Sequence, residues 1–319
     1  MNTGIALDQK RPKVLTIAIE GDRGKLFVEF TFEYLQKSKK TDTYKRMYYV
    51  MANHIIDFSR KNEMPVYTDS LSEQTLEEFV FFLQDEKKLM ISTVKSIIER
   101  TKSMLQKANN AGFKVDGTFK DFTVRDEEID TIFLPMTDIT RIYYFQDLTR
   151  KQIEIKDYFV LGCLTGLRYS DYSRLKTENF VDNRIEIRTK KTKTPVEIPM
   201  HKFVREIVRK YNYELPPSRS IQYFNKAIKV ICRKIGFSEL IPYERHVGTE
   251  FISEMRPKWM FISSHTARRS AATNMFLVGI PVFRIMLLTG HKSESAFFRY
   301  IRITREENAT VLSGHQFFN

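Results

Sequence analysis

Cysteine is nearly absent from this chain. The two that occur, Cys163 and Cys232, cannot build a disulfide framework and cannot complete a structural zinc site alone. A reducing, cytosolic setting fits that usage. Long apolar runs are missing too: no stretch approaches the roughly 18 apolar residues of a membrane span. The opening residues, MNTGIALDQKRPK, lack the apolar segment of a signal peptide. There is no internal repeat and no low-complexity tract. Tryptophan occurs once, at Trp259, and is assigned to packing rather than to base stacking. His54, His201, His246 and His315 have no motif around them. The expectation from these absences is a soluble, intracellular protein.

What is present is basic charge. Lys and Arg number 52 against 39 Asp and Glu, a formal net charge of +13. That excess favours a polyanionic partner, nucleic acid first and an acidic membrane surface second. With 42% hydrophobic residues the chain can bury an ordinary core, and 319 residues suggest two domains.

Four amphipathic segments follow a tail over 1–24. KLFVEFTFEYLQ opens the first, and Tyr44, Tyr48, Met51, Ile55 and Phe58 recur at helical spacing in the second. Leu76, Phe79, Val80 and Leu83 mark the third, and Val94, Ile97, Ile98 and Leu105 the fourth. They predict a small helical domain over 25–112. Lys95 and Lys102 lie off the last stripe, as DNA-facing or simply solvated residues. Residues 113–133, with Gly117 and the acidic cluster Asp126, Glu127 and Glu128, read as a linker. A second domain is expected over 134–303, with helical patterns at 137–147, 151–165, 201–211 and 218–235. In between, RIEIRTKKTKTPVEIPM alternates, turns on a basic tip, and alternates again, which predicts a β-hairpin.

The chemistry-bearing residues gather in HTARRSAATNMFLVGIPVFRIMLLTGHKSESAFFRY, from His265 to Tyr300. His265 and Arg268 stand three apart, on one face of a helix, where both can meet one phosphate. Gly290-His291 and Tyr300 follow, and TGLRYSD supplies Arg168 upstream. Cleaving a phosphodiester without a metal needs cations that offset its charge, and arginine pairs two phosphate oxygens in a fixed fork. A tyrosine nucleophile, with a free pKa of about 10, needs a proton acceptor, and the leaving 5′-oxygen needs a donor, for which a hairpin lysine is suited. Tyr169 and Tyr172, beside Arg168, are assigned to helix packing, and Cys163 to the core.

These residues carry a family resemblance. The span 135–305 resembles the tyrosine recombinase (phage integrase) family in four motifs: Thr165-Gly166-Leu167-Arg168, His265-x-x-Arg268, Leu288-Thr289-Gly290-His291, and Tyr300 nine residues on. The helical segment before it is similar to that family's SAM-like core-binding domain. The resemblance implies a mainly α fold with a small β-hairpin or sheet, whose helical domain and mostly helical catalytic domain form a C-shaped clamp on DNA. It implies that Arg168 and Arg268 hold the scissile phosphate. Tyr300 attacks to give a 3′-phosphotyrosyl link, His265 assists proton transfer, and His291 donates a hydrogen bond to the phosphate. Asp171 occupies the place of an acidic residue that buttresses the site. The resemblance implies a catalytic lysine at the hairpin tip, eight residues before the proline that ends the second strand, which here is Lys191 before Pro199, with Lys190 and Lys193 competing for that role or binding DNA backbone. Arg269 stands where many relatives have histidine, as a phosphate contact or a salt bridge. No metal or nucleotide cofactor is implied, because the phosphotyrosine stores the bond energy.

The function implied is site-specific recombination, in integration and excision of a mobile element or in DNA inversion. A type IB topoisomerase-like activity and a catalytically silent DNA-binding regulator are the alternatives. Partners would be duplex DNA with inverted-repeat core sites and three further copies of the chain, monomeric before DNA binding. TREENATVL carries a helix-start signature, and residues 304–319 are expected as a tail for contact between subunits. With about two dozen residues before the first predicted helix, no arm-site domain is expected. The Lys-, Ile-, Phe- and Tyr-rich composition suggests an AT-rich bacterial genome, hence a cytoplasmic, nucleoid-associated enzyme.

Overall fold

The structure is a computed structural model and describes residues 24–125, 131–291, 293–298 and 301, with 309, 313 and 317. Most of the expected N-terminal tail, the acidic cluster Asp126, Glu127 and Glu128, Tyr300, and the segment opening at Thr304 lie outside the described residues. The chain divides into two compact units, one running to Ile129 and including Glu244–Ser253, the other holding the remainder.

The first unit is built on α1 (Phe27–Lys37), α2 (Asp42–Lys61), α3 (Glu73–Asp85) and α4 (Ile91–Asn110). Their starts are set locally. Thr41 accepts a hydrogen bond from the Tyr44 amide, and Ser72 one from Thr75, so donors left open by helix geometry are satisfied. The apolar stripes converge: Met51, Ile55, Phe58, Leu76, Phe79, Leu83, Val94, Ile98 and Leu105 are buried together. Part of the segment read as a linker belongs to this core. After α4 a 3-10 turn, Gly117–Lys120, inserts Phe119, and Phe122 follows it in. Lys102 holds that turn by donating to the carbonyls of Lys120 and Phe122. Its ammonium is therefore occupied structurally, whereas the sequence left it facing DNA or solvent.

The second unit starts with α5 (Met136–Tyr144), α6 (Arg150–Thr165) and the single turn α7 (Tyr169–Tyr172). Helix α6 is buried without a break from Ile155 to Cys163, which explains why it shows no polar face. Two charges lie inside that run, and each is matched. Lys156 donates to the carbonyls of Tyr143 (2.8 Å) and Phe145 (3.0 Å), closing the end of α5. Asp157 accepts from Lys210 (2.7 Å) and the Tyr211 hydroxyl (2.8 Å). Tyr172 is fully buried, consistent with packing, as is Cys163.

Strands β1 (Phe180–Val181), β2 (Arg184–Arg188) and β3 (Pro195–Pro199) form an antiparallel sheet in that order. Ile185 pairs with Ile198 and Ile187 with Val196 on the buried face. Helices α8 (Lys202–Lys210) and α9 (Ile221–Ile235) follow. A second hairpin comes next, β4 (Leu240–Val247) and β5 (Glu250–Pro257), which the sequence reading did not anticipate. Its alternation is weak because Leu240, Phe251 and Met255 are exposed, so no apolar face marks it. Residues 244–253 of this hairpin pack within the first unit, where the Gly248 amide donates to the Leu89 carbonyl at 3.1 Å. The unit closes with α10 (Ser264–Leu277), α11 (Val282–Thr289) and α12 (Glu294–Phe298). Among the described residues no helix is long and apolar enough to cross a membrane.

Gly162 lets α6 meet Tyr172: a Cβ there would lie 2.8 Å from the tyrosine ring. Gly162→Ala is therefore expected to lower unfolding free energy by about 1–3 kcal/mol, as overpacking does. Urea denaturation reads it, and an unchanged midpoint would refute the close approach.

Candidate active site

Two of the four motifs are helix ends. Helix α6 stops at Gly166 (φ 67°) and α11 at Gly290 (φ 67°), each in the left-handed region that glycine enters without strain. The Gly166 amide donates back to Gly162 at 3.2 Å, and the Gly290 amide to Met286 at 2.7 Å. In both places the chain leaves the helix abruptly, one to two residues before Arg168 and directly before His291. Helix α10 brings the third motif. Its first turn is fixed by the Asn225 side chain on α9, which accepts from the Ser264 amide at 2.9 Å. Thr266 Oγ1 accepts from the Ser263 amide at 3.0 Å and donates to the Phe261 carbonyl at 3.0 Å. His265 and Arg268 then lie one turn apart.

Arg268 joins these pieces. It is 4% exposed, and its guanidinium donates to the carbonyls of Gly166 (2.6 Å) and Thr289. Both carbonyls belong to helix C-termini, where the partial negative charge of the helix favours a cation. Small side chains permit the approach: a Cβ on Gly166 would lie 3.3 Å from the Thr289 methyl and 3.4 Å from Ala271.

Arg168 is half-buried, and its Nη1 is buried with no hydrogen-bond partner among the described residues. Asp171, fully buried, does not satisfy it. One Asp171 oxygen accepts from the Lys190 amide at 2.7 Å and from Arg174 at 3.4 Å, while the other has no partner among the described residues. Arg174 in turn donates to the Arg188 carbonyl. The buttress therefore acts on the β2–β3 turn. That turn is closed by Thr189, whose hydroxyl accepts from the Thr194 amide at 3.1 Å, and by Lys193 at φ 58°. Lys190, Lys191 and Lys193 are exposed on it. The turn lies beside α11's end: a Cβ on Gly290 would sit 3.8 Å from Thr192 Oγ1.

The same charges act on both histidines. The His265 pKa is lowered by burial and then by the charges of Arg269, Arg268, Arg168 and Lys191. His291 is lowered to about 4, by burial first and then by Arg268 and Arg168. Its Nδ1 is 2.7 Å from Thr289 Oγ1. The structure thus gathers Arg168, Lys191, His265, Arg268 and His291, with Asp171 beneath the turn. Tyr300 lies outside the described residues, although Phe297 and Ile301 on either side are buried with Ala272 and Ile285.

Lys95 is half-buried on α4 in the first unit. Arg269 donates to the Ile132 carbonyl at 3.3 Å. Beside it, Ser270 accepts from the Leu134 amide and Asn274 donates to the Leu134 carbonyl, both at 2.8 Å. The sequence reading missed Thr289, Asn225 and Arg174. Arg174 was detectable three residues after Asp171, at ion-pair spacing. Asn225 carried no local signal.

This chain belongs to the phage integrase family. The family's profile matches residues 133–307, and the phage integrase SAM-like domain matches residues 26–124. It is therefore a site-specific tyrosine recombinase, a DNA strand-exchange enzyme. No curated protein sequence matches it. Among solved structures it is similar to the Tn1549 transposon integrase in complex with circular intermediate DNA, at TM-score 0.68 and 14% identity, covering 91% of this chain and 99% of that one. It is also similar to a lambda integrase dimer bound to a COC′ core site, at TM-score 0.66 and 15% identity, covering 86% and 94%. A lambda integrase tetramer bound to a Holliday junction matches at TM-score 0.62 and 16% identity, covering 91% and 84%. At these identities the likeness is one of fold: a helical N-terminal domain and a catalytic domain with small antiparallel sheets.

Two outcomes follow. Asp171→Ala removes the acceptor for the Lys190 amide, so hydrogen exchange at that amide should accelerate and stability fall by about 1–3 kcal/mol; unchanged exchange would remove the buttress. His54, His201, His265 and His291 all have lowered pKa values in the fold. The unfolded chain then takes up protons first as pH falls below about 6.5, so stability should drop from there toward pH 4. His291→Gln should reduce that drop by about 1–2 kcal/mol, allowing for the ring's partial exposure. Denaturation midpoints across pH 4–7 would measure it.

Proposed function

We propose that Tyr300 attacks a DNA phosphodiester held between Arg168 and Arg268. A bond forms from the tyrosine oxygen to phosphorus as the bond to the 5′-oxygen breaks, leaving a 3′-phosphotyrosyl link. His265 receives the tyrosine proton, Lys191 gives one to the leaving 5′-oxygen, and His291 meets a phosphate oxygen. The free 5′-hydroxyl of a second duplex then reverses the step.

The observation that carries this reading is Nη1 of Arg168, buried with no hydrogen-bond partner among the described residues. Leaving a buried charged donor unpaired costs more than the about 1–3 kcal/mol of a neutral one. A phosphate oxygen would satisfy it, in a place where four cations already act on His265. Lys191 is favoured over its neighbours because it is the hairpin lysine among those four. Lys190 and Lys193 are left to the DNA backbone, with Lys95 as a further contact from the first unit. Asp171 positions Lys191 by fixing the amide of the preceding residue.

The DNA would be a pair of sites with inverted-repeat cores, recombined by four copies of the chain, with residues 304–319 linking neighbours. The biological setting would be a bacterial mobile element that integrates and excises, or an invertible segment. Relaxation without partner exchange and silent DNA binding are the outcomes that would displace this reading.

Nicked duplexes that lose the 5′-hydroxyl fragment, drawn from a randomised pool and from repeats beside the gene, should trap a covalent adduct. Tyr300→Phe should abolish it. An undiminished adduct in that variant, or none from the unaltered chain, would sink the proposal. An adduct without exchange between two sites would favour the topoisomerase.

A further inference from the structure

Thr289 occupies the unassigned position of the Leu288-x-Gly290-His291 motif, and it is 1% exposed. Its hydroxyl makes two close contacts. Oγ1 lies 2.7 Å from the Ile285 carbonyl, one turn back on α11, and 2.7 Å from His291 Nδ1. A hydroxyl has one proton. The Ile285 carbonyl can only accept, so that proton lies toward Ile285. The second contact is a hydrogen bond only if the imidazole supplies its proton, and Nδ1 must therefore carry hydrogen. Thr289 also gives its carbonyl to Arg268, so its backbone is fixed by the same guanidinium that binds Gly166. The left-handed turn at Gly290 then sets the short path from Thr289 to the His291 ring.

We propose that Thr289 is the positioning residue of His291: its hydroxyl accepts from Nδ1–H, fixing ring orientation and tautomer, so that Nε2 is the nitrogen presented to the phosphate. The inference rests on His291 belonging to the active site. It adds the direction in which that ring works. The neutral ring carries its lone pair on Nε2 and accepts there. It gives a hydrogen bond to a phosphate oxygen only as the imidazolium, whose Nδ1–H still needs the Thr289 acceptor. A second residue fixing the tautomer of a working histidine is a general device.

Thr289→Val keeps the shape and removes the hydroxyl, and Thr289→Ser keeps the hydroxyl. With histidine labelled by 15N, long-range proton–nitrogen correlations at neutral pH report which ring nitrogen bears hydrogen, and loss of a signal in His291→Gln assigns His291. The DNA-free protein and Thr289→Ser should show Nδ1–H. Thr289→Val should shift the population toward Nε2–H. On a nicked duplex that traps the unaltered chain, Thr289→Val should form adduct about tenfold more slowly, and Thr289→Ser should recover most of that rate. An Nε2–H tautomer in the unaltered protein, or the same tautomer in Thr289→Val, would overturn the proposal. So would a serine variant as slow as the valine variant. The spectroscopic reading needs no DNA, so absence of any adduct would fail the recombinase mechanism and leave the Thr289 result standing separately.

Discussion

A guanidinium that is 4% exposed must satisfy its donors within the protein, and Arg268 does so on the carbonyls of Gly166 and Thr289. Those two carbonyls come from segments more than a hundred residues apart in sequence, each at the end of a helix. The arrangement makes three of the four motifs interdependent. If α6 ended one residue later, or if Gly290 could not turn, the guanidinium would lose a partner in a place water does not reach. The cost of an unpaired buried charge enforces the geometry around it.

The same dependence explains the site's electrostatic character. Burial lowers the pKa of both His265 and His291, and the charges of Arg268 and Arg168 lower them further, which favours neutral rings. Neutral imidazoles among cations can take protons, whereas charged ones would repel the arginines. A bound phosphate would relieve the crowding of positive charge and raise the histidines together. Substrate binding and proton handling are thus linked through one set of charges.

Much of this was legible in the residues themselves. The four stripes of the first unit were readable because each helix buries one face, with Tyr48, Met51, Ile55 and Phe58 at regular intervals. The β2–β3 hairpin was readable because Ile185, Ile187, Val196 and Ile198 alternate toward a core. The motif residues were found because their spacing is specific to the chemistry. Other features depended on partners far away in sequence. Phe119 and Phe122 look like linker residues until the core they enter is known. The β4–β5 hairpin has no apolar face to betray it. Arg269, read as a phosphate contact or a salt bridge, also donates to the Ile132 carbonyl, a partner its own spacing could not reveal.

That last contact bears on how the protein can be rebuilt. The back of α10 grips the chain as it enters the catalytic unit, through Arg269 on Ile132 and through Ser270 and Asn274 on Leu134. The helix whose front carries His265 and Arg268 therefore also anchors the start of its own unit. A chimera that grafts a foreign DNA-binding module onto this catalytic unit should be spliced upstream of Ile132. A junction placed at 134, where the sequence puts the start of the second domain, would cut through the scaffold of the helix it was meant to preserve.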